Sequence, residues 1–326
     1  MLIQRVQVSS HATRGVFRSP PLTSRSAAVA VHATTNRSVF ITGGNTGIGY
    51  ETAKTLAAQG FCVTIGCRDP AKAAAALTRI KEAVPSAAVD SVALDLSDLN
   101  SVSDCAKRVL DSGIQYDVWI NNAGVMACPK MTTSQGFEYQ LGVNHLGHFA
   151  LTNQVLPALK AADKPVRIIN VASAAHLFGK IDFEDLMRDR SYDAWEAYGQ
   201  SKLANIMFSY ELNRRLGADS KITVNCLHPG VVKTELGRCV YMYTWYMPLA
   251  IEVMKFFMLE PAQGAATSIH LASSPEVEGV TGKYYVDCRR AVSSNDSYNR
   301  DTASRLWEVS QELTGAVVPV AEAVAA

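Results

Sequence analysis

Short apolar runs alternate with longer mixed segments along most of the chain. The runs are rich in β-branched and aromatic residues, which indicates strands, and they fall at 38–42, 61–66, 88–94, 116–120, 166–171, 221–227 and 283–286. The longer segments carry helical patterns at 47–59, 70–84, 98–112, 135–160, 193–217, 241–258, 261–273 and 301–313. This alternation predicts an α/β fold, in which helices cover both faces of a doubly wound parallel sheet of about seven strands.

The same pattern predicts the domain organisation. Residues 39–315 contain no linker and no internal repeat, so we expect one domain there. Hydrophobic residues make up 48% of the 326 residues and charged residues 19%, which is enough for a sizeable core. The end of the chain, 316–326, is small and apolar, and we expect a flexible tail.

The N-terminal segment 1–38 differs in composition from the rest. It holds five Arg, ten Ser or Thr and no acidic residue, so its removal changes the formal net charge from +1 to −4. Such a segment resembles an organelle transit peptide, whereas a secretory signal would need a longer apolar stretch. The Ser/Thr content and the small residues at 27–33 favour a chloroplast over a mitochondrion. The alternative is a disordered tail on a cytoplasmic protein.

Charge and cysteine content exclude some classes of function. A net charge of +1 gives no support for nucleic-acid binding. The seven cysteines contain no CxxC pair, which favours buried thiols in a reducing compartment over a disulfide framework or a zinc site; they stand at positions 62, 67, 105, 128, 226, 239 and 288.

A glycine-rich turn joins the first strand to the first helix. Glycines there let a backbone approach a pyrophosphate, and the helix start offers free N–H groups and the positive end of the helix dipole. An ordinary tight turn is the alternative for the glycines alone, but the second strand completes a βαβ unit of the Rossmann type. The candidate phosphate-binding residues are Gly43, Asn45, Thr46, Gly47, Ile48 and Gly49.

The ends of the next strands predict the rest of a dinucleotide site. Arg68 follows strand two, where an Arg accommodates the 2′-phosphate of NADP(H), although the neighbouring Asp69 keeps NAD open. After strand three, the carboxylate of Asp95, followed by Leu96, can meet the adenine amino group. After strand four, small residues let the backbone reach the cofactor, and these are Asn122, Ala123 and Gly124.

The candidate catalytic residues lie in the second half of the chain. Tyr198 and Lys202 are four residues apart on a predicted helix and share a face. A lysine ammonium and an oxidised nicotinamide both stabilise phenolate, so we expect a lowered tyrosine pKa. Ser173 ends strand five, where its hydroxyl can bond a substrate carbonyl. Asn144 stands in mid-helix, where Asn is unfavourable, and this predicts a tertiary role.

His145 and His148 share a face of the same predicted helix, which makes them a candidate pair of metal ligands. No third ligand of suitable spacing accompanies them, so packing or helix contacts are the favoured interpretation and no metal is predicted.

Taken together, these motifs resemble the short-chain dehydrogenase/reductase superfamily. The order is Thr42-Gly43-xxx-Gly47-x-Gly49, Asn121-Asn122-Ala123-Gly124, Asn144, Ser173, Tyr198-xxx-Lys202 and Pro229-Gly230. Stretches at 122–129, 144–149, 201–205, 228–230 and 305–307 further resemble its retinol dehydrogenase-like branch. That branch includes plastid relatives, among them the NADPH-binding dehydrogenase associated with the chloroplast protein translocon.

The resemblance implies a role for each matching residue. Tyr198 would be the general acid and base, Lys202 would bind the nicotinamide ribose, and Ser173 would hold the carbonyl oxygen. Asn144 would anchor a water that relays protons to Lys202. The segment with Pro229, Gly230, Val232 and Thr234 would border the nicotinamide, with Thr234 at the carboxamide. Ala172 stands where the family often has Ser, and the long segment 180–195 is expected to form a flap.

The region after Pro229-Gly230 covers the substrate in that superfamily. Here 240–258 is aromatic- and Met-rich but contains Pro248, Glu252 and Lys255, which disfavours a membrane-spanning helix. We expect this segment to form a lid over a lipophilic carbonyl substrate and to rest on a membrane surface. The alternative is that the segment belongs to the ordinary core or to a subunit interface. The resemblance also implies a homo-oligomer paired through the helices predicted at 98–112, 135–160 and 193–217.

The sequence therefore supports two hypotheses, which assign the protein to different functional classes. One is an NADPH-dependent reductase of a retinal-like, isoprenoid or lipid-derived aldehyde or ketone. The other is an NADP(H)-sensing regulatory or scaffold protein at a plastid membrane. The intact set Asn144, Ser173, Tyr198 and Lys202 favours the enzyme.

Overall fold

Eight strands lie within residues 37–233 and 258–316, which are the residues described by the computed structural model. They are β1 Ser38–Thr42, β2 Cys62–Cys67, β3 Val89–Ala93, β4 Val118–Asn121, β5 Val166–Val171, β6 Ile222–His228, β7 Tyr284–Val286 and β8 Arg289–Ala291. They form one sheet in the order β3-β2-β1-β4-β5-β6-β7-β8.

The sheet is parallel from β3 to β7, which confirms the predicted doubly wound α/β fold. The register places Phe40 of β1 opposite Thr64 on one side and Trp119 on the other. The added strand β8 pairs antiparallel with β7. The sequence pattern missed it because three residues with two arginines lack an apolar run.

The helices follow the predicted segments closely in most of the chain. They are α1 Gly47–Ala58, α2 Pro70–Ala83, α3 Leu99–Asp111, α4 Tyr139–Leu141, α5 Gly147–Ala161, α6 Ala194–Leu216, α7 Pro261–Ser273 and α8 Arg300–Thr314. Aspartate caps explain several starts, since a side-chain carboxylate accepts from free N–H groups of the first turn. The capping residues are Asp69 for α2, Asp98 for α3 and Asp193 for α6.

Two apolar layers enclose the sheet, because successive strand residues point to opposite faces. Along β1, Phe40 packs into one layer, while Val39 and Ile41 pack into the other. In the first layer Phe40 stacks on Trp119, with ring centroids 4.2 Å apart. Both faces are thus buried, as a parallel sheet requires.

The helix predicted over about 135–160 is present from residue 139 onward, but its start and its hydrogen-bond pattern differ from the prediction. The chain first makes an antiparallel bridge between Thr132 and Glu138, and α4 begins only at Tyr139. A π-helical turn, Gly142–Leu146, then separates α4 from α5. Such turns are rare and occur often at functional sites, and this one contains Asn144.

Part of the predicted substrate region lies outside the described residues. This applies to Thr234 and to the predicted helix 241–258 except for Met258. In the parts of the chain that the structure describes, no helix combines the length and apolar character needed to cross a bilayer.

Candidate active site

The sheet reverses its direction of winding between β1 and β4. In open α/β sheets the ligand crevice lies at such a point, outside the carboxyl ends of the strands. The turn that follows β1 and the start of α1 together carry all six predicted phosphate-binding residues, Gly43, Asn45, Thr46, Gly47, Ile48 and Gly49. The predicted loop therefore stands where a ligand of this fold binds.

The start of α1 is open to an anion. Its N-cap, Thr46, makes no side-chain capping bond, and the first turn holds no acidic residue. Gly47 has a φ of +56°, a left-handed conformation that favours glycine. Gly49 packs so tightly that a Cβ would lie 2.5 Å from Nδ2 of Asn122. Free N–H groups at a helix start suit a pyrophosphate, so this turn fits the nucleotide that the sequence predicts.

A hydrogen-bond relay joins this turn to the end of β4. The backbone N–H groups of Asn122 and Ala123 each donate to Oγ1 of Thr42, over 2.9 Å. Thr42 Oγ1 lies 2.8 Å from Nε2 of His148, whose Nδ1 lies 3.0 Å from the main-chain oxygen of Asn144. With both N–H donors accepted, the Thr42 hydroxyl donates to His148, and His148 donates to Asn144. For His148 the sequence predicted packing or helix contacts rather than this relay, and for Thr42 it predicted only membership of the glycine-rich motif.

The predicted adenosine side comes together at the ends of β2 and β3. The side chain of Arg68 is 57% exposed, and its Nη1 lies 3.8 Å from Oδ2 of Asp95. A hydrogen bond with Tyr139 is the largest of the causes that raise the pKa of Arg68. Leu96 is buried beside Asp95. The NAD alternative, Asp69, uses its Oδ1 to cap α2 through the N–H groups at positions 71 and 72.

Ser173, Tyr198 and Lys202 meet beside the crevice. Ser173 directly precedes a short 3-10 helix, Ala174–Leu177, and Tyr198 and Lys202 lie on α6. Both α6 residues are only 3% exposed. The Lys202 ammonium lies 5.7 Å from the centre of the Tyr198 ring and donates to the carbonyl oxygen of Val171 over 3.2 Å. Three of the four predicted catalytic residues are therefore brought together here.

Burial is the main cause of the shifted pKa values of Tyr198 and Lys202. Because burial disfavours phenolate, it raises the pKa of Tyr198 to about 12, and a hydrogen bond with the Ser173 side chain offsets this only in part. Burial also lowers the pKa of Lys202 to about 8. The expected lowering of the tyrosine pKa is thus not met by the protein's own groups, and Tyr198 keeps its proton at neutral pH. It stays a prediction that bound oxidised nicotinamide lowers the pKa of Tyr198.

Asn144 makes three hydrogen bonds from a fully buried side chain. Its Oδ1 accepts from the N–H of Val125 over 2.8 Å, and its Nδ2 donates to the carbonyl of Val125 and to Oγ of Ser201, over 2.9 and 2.8 Å. The side chain therefore joins the loop after β4 to α6. A Cβ added at Gly124 would lie 3.0 Å from Asn144 Oδ1 and 3.4 Å from Lys202 Nζ. Gly124 is thus required for the close approach of these groups.

The two candidate metal ligands have other partners. His145 Nε2 lies 2.9 Å from Oγ of Ser310, and His148 belongs to the Thr42 relay. Across 37–233 and 258–316, no group of three or more His, Cys, Asp or Glu side chains is placed to hold a metal ion.

The segment after β6 returns towards the crevice. Gly230 has a φ of +86° and follows Pro229. Val232 forms an isolated parallel bridge with Leu259, and its side chain packs on Gly264 of α7. A Cβ added at Gly264 would also lie 3.3 Å from Cγ1 of Ile48, so Val232 and the start of α1 border the same place.

An exposed apolar rim near Tyr198 was not predicted as a site. Its members are unusually exposed for large apolar side chains, and they are Leu177 (65%), Phe178 (54%) and Trp195 (45%). Trp195 packs edge-on against Tyr198, with centroids 6.2 Å apart, and Phe178 packs on Gly199. Exposure cannot be read from sequence, although the aromatic residue one turn before Tyr198 was a usable signal.

A glycine-rich turn at the switch point of the sheet, with a buried tyrosine and lysine nearby, is the arrangement of a nicotinamide-dependent oxidoreductase. The family of short chain dehydrogenases matches residues 37–241. The chain therefore belongs to the short-chain dehydrogenase/reductase family, an oxidoreductase family that binds nicotinamide cofactors and acts on small molecules. This confirms the family resemblance of the motifs.

Retinol dehydrogenases are homologues of this protein. The human protein "Retinol dehydrogenase 14" is 43% identical over 292 residues, which cover 86% of each chain. The crystal structure of an uncharacterised protein from Mycobacterium paratuberculosis has a TM-score of 0.69 at 36% identity, covering 88% of this chain and 97% of that one. A 3-ketoacyl-(acyl-carrier-protein) reductase from Brucella melitensis, complexed with NADH, has a TM-score of 0.59 at 25% identity, covering 77% and 95%.

Proposed function

We propose that the protein interconverts a carbonyl and an alcohol on a lipophilic substrate, with NADPH as the reductant. The observation that carries the proposal is the meeting of Ser173, Tyr198 and Lys202 beside the glycine-rich turn. When bound, the cofactor supplies the hydride. The residues that would hold it are the turn 43–49, Arg68, Asp95, 122–124, Lys202 and 229–232.

Tyr198 supplies the proton in the reductive direction. Its raised pKa keeps the phenol protonated at neutral pH, so it can donate to a carbonyl oxygen that becomes negative in the transition state. The Ser173 hydroxyl holds the same oxygen. Lys202, whose pKa is about 8, is largely charged at neutral pH and stabilises the phenolate that remains.

Two features of the adenosine side support NADPH over NADH. Arg68 is an exposed cation at the end of β2, where a 2′-phosphate is recognised in dinucleotide folds. Asp69, the residue that would favour NADH through ribose hydroxyls, caps α2 instead. The NADH-bound relative shows that the fold itself also admits NADH.

The apolar rim supports a lipophilic substrate. Leu177, Phe178 and Trp195 are exposed although each would be more stable in an apolar environment. Trp195 and Phe178 both adjoin the turn of α6 that carries Tyr198. A substrate whose carbonyl reaches Tyr198 would place its apolar part against them. Retinal-like, isoprenoid and lipid-derived aldehydes or ketones have this shape.

The test is turnover by the protein lacking residues 1–36, because β1 begins at Ser38 and the carbonyl of Arg37 accepts from the N–H of Cys62. NADPH oxidation is followed by absorbance against lipophilic aldehydes and ketones, with small polar carbonyls of equal reactivity as controls. We expect turnover of the lipophilic set that disappears in Tyr198→Phe. Turnover of polar carbonyls alone would refute the substrate class. Tight NADPH binding without any turnover would refute the enzyme and favour a nucleotide sensor.

Location, membrane contact and oligomeric state remain predictions. Residues 1–38 are expected to direct a fluorescent fusion into chloroplasts, and a cytoplasmic signal would contradict this. Peripheral membrane contact through 240–258 is expected to cause co-sedimentation with lipid vesicles. The predicted homo-oligomer would pair through helices that include α5 and α6. Part of the surface of these two helices is covered within the protein itself, because Trp307 of α8 packs on Phe149 of α5 and Phe208 of α6.

A further inference from the structure

We propose that His176 is a positioning residue, which holds Ser173 in place by linking its carbonyl group to the C-terminal segment Ser293–Tyr298. The inference rests on the proposed function, because it takes Ser173 as the residue that holds the substrate oxygen. His176 itself does not touch the reacting atoms in this scheme.

The first link joins His176 to Ser173. The Ser173 carbonyl oxygen accepts from the backbone N–H of His176 over 3.1 Å and lies 2.6 Å from the imidazole Nδ1. A carbonyl can only accept, so Nδ1 carries the proton. Ser173 Oγ accepts from the N–H of Ala175 over 3.2 Å, so the same short 3-10 helix fixes both its carbonyl and its hydroxyl.

The second link joins His176 to Ser294, which is 118 residues away in sequence. The backbone N–H of Ser294 can only donate, and it reaches Nε2 over 3.0 Å. The neutral tautomer with hydrogen on Nδ1 is the one that satisfies both links. His176 is 1% exposed and packs against the ring of Tyr284, 5.2 Å away, so its rotation is restricted.

The far end of the link returns to the catalytic helix. Ser293, next to Ser294, lies 2.8 Å through its Oγ from the hydroxyl of Tyr210 on α6. The ring of Tyr298 stacks on Tyr210, with centroids 5.3 Å apart. A closed circuit therefore runs from Ser173 through His176 and the C-terminal segment to α6, the helix that carries Tyr198. Such a circuit restricts movement of the Ser173 hydroxyl relative to the phenol.

A second histidine, His228, binds the other side of the peptide group that joins Ser173 to Ala174. The N–H of Ala174 donates to Nδ1 of His228, at the end of β6, over 3.2 Å. The turn that carries Ser173 is thus held at its carbonyl by His176 and at the following N–H by His228. The His176 contact continues through Ser294 and its neighbour Ser293 to Tyr210 of α6.

Two substitutions separate the ends of the link. H176Q keeps an acceptor near the position of Nε2 and loses the donor to Ser173. H176N keeps a donor near Nδ1 and loses the acceptor for Ser294. We expect each to lower kcat about tenfold, because small displacements of a positioned group cost one to two orders of magnitude, while the KM for NADPH stays within about twofold. H270N is the matched control, since His270 packs on Tyr285, the residue of β7 that faces the opposite side of the sheet.

A double-mutant cycle with S173A distinguishes positioning from general stability. If His176 acts through Ser173, H176Q should lower kcat by less than about twofold in the S173A background. A full loss in that background would overturn the inference, and so would a kcat within about twofold of wild type for H176Q alone.

Hydrogen exchange gives a readout that does not need turnover. We expect faster amide exchange across 173–179 in H176Q and across 293–298 in H176N, with unchanged exchange in H270N. Wild-type protein without turnover would refute the proposed function only. Unchanged exchange of both segments in both variants would overturn the His176 link itself.

Discussion

Arg68 decides cofactor selectivity if the assignment of NADPH is correct. Its side chain is 57% exposed, and its guanidinium lies 3.8 Å from the carboxylate of Asp95. A hydrogen bond to a charged group contributes about 1.5–3 kcal/mol, and exposure to solvent places this one at the lower end. We therefore expect Arg68→Ala to weaken NADPH binding by about 1.5 kcal/mol, roughly tenfold in the dissociation constant.

The change should not affect NADH, which lacks the 2′-phosphate. Loss of Arg68 also removes the cation beside Asp95, and this carboxylate then repels a phosphate but not a ribose hydroxyl. The measurement is the dissociation constant of each reduced cofactor, followed by nicotinamide fluorescence. It does not require turnover, so it is independent of the substrate.

Arg305 provides a closely matched control. It is 58% exposed, and its Nη2 lies 3.9 Å from a carboxylate oxygen of Glu184. Arg305→Ala should leave both dissociation constants unchanged. Equal weakening of NADPH and NADH by Arg68→Ala would refute the reasoning, and unchanged NADPH affinity would show that the 2′-phosphate does not contact Arg68.

Three further predictions concern the core and the site. Trp307→Ala should lower the free energy of unfolding by about 3–5 kcal/mol, because it removes a buried ring from between two helices; denaturant titration measures this. Gly124→Ala should lower kcat about tenfold or more, since its methyl group would lie 3.0 Å from Oδ1 of Asn144. Acid should destabilise the fold: burial lowers the pKa of His145 to about 3 and of His148 to about 4, so the unfolded chain binds more protons below pH 6.5. Stability is then lost as pH falls from about 6.5 to about 4, by up to about 1.4 kcal/mol per pH unit for each histidine.

Each of these has a clear contrary result. Trp195→Ala, at a 45% exposed tryptophan, should cost far less stability than Trp307→Ala, and equal costs would contradict the packing argument. A wild-type kcat for Gly124→Ala would show that Asn144 and Lys202 tolerate a methyl group between them. A free energy of unfolding that does not change between pH 7 and pH 5 would contradict the histidine argument, and His145→Gln should reduce the slope.

Local chemistry explains what the sequence by itself determined. The run from β1 through the glycine turn to α1 is visible because strand, turn and helix preferences act over neighbouring residues. Tyr198 and Lys202 share a helix face because they are four residues apart. The same short-range rules predicted most strand and helix bounds and the phosphate turn, and the resemblance of the motifs to a known family predicted the family of the protein.

The tertiary structure decided what depends on contacts between distant residues. Thr42 meets His148 across 106 residues, and His176 meets Ser294 across 118. The π-helical turn also depends on distant contacts, because the side-chain amide of Asn144 within it forms hydrogen bonds with the loop after β4 and with helix α6. Burial, which only the fold determines, raises the pKa of Tyr198 where the local sequence predicted that a lysine would lower it. A sequence pattern reports neighbours along the chain, whereas desolvation and long-range hydrogen bonds report neighbours in space.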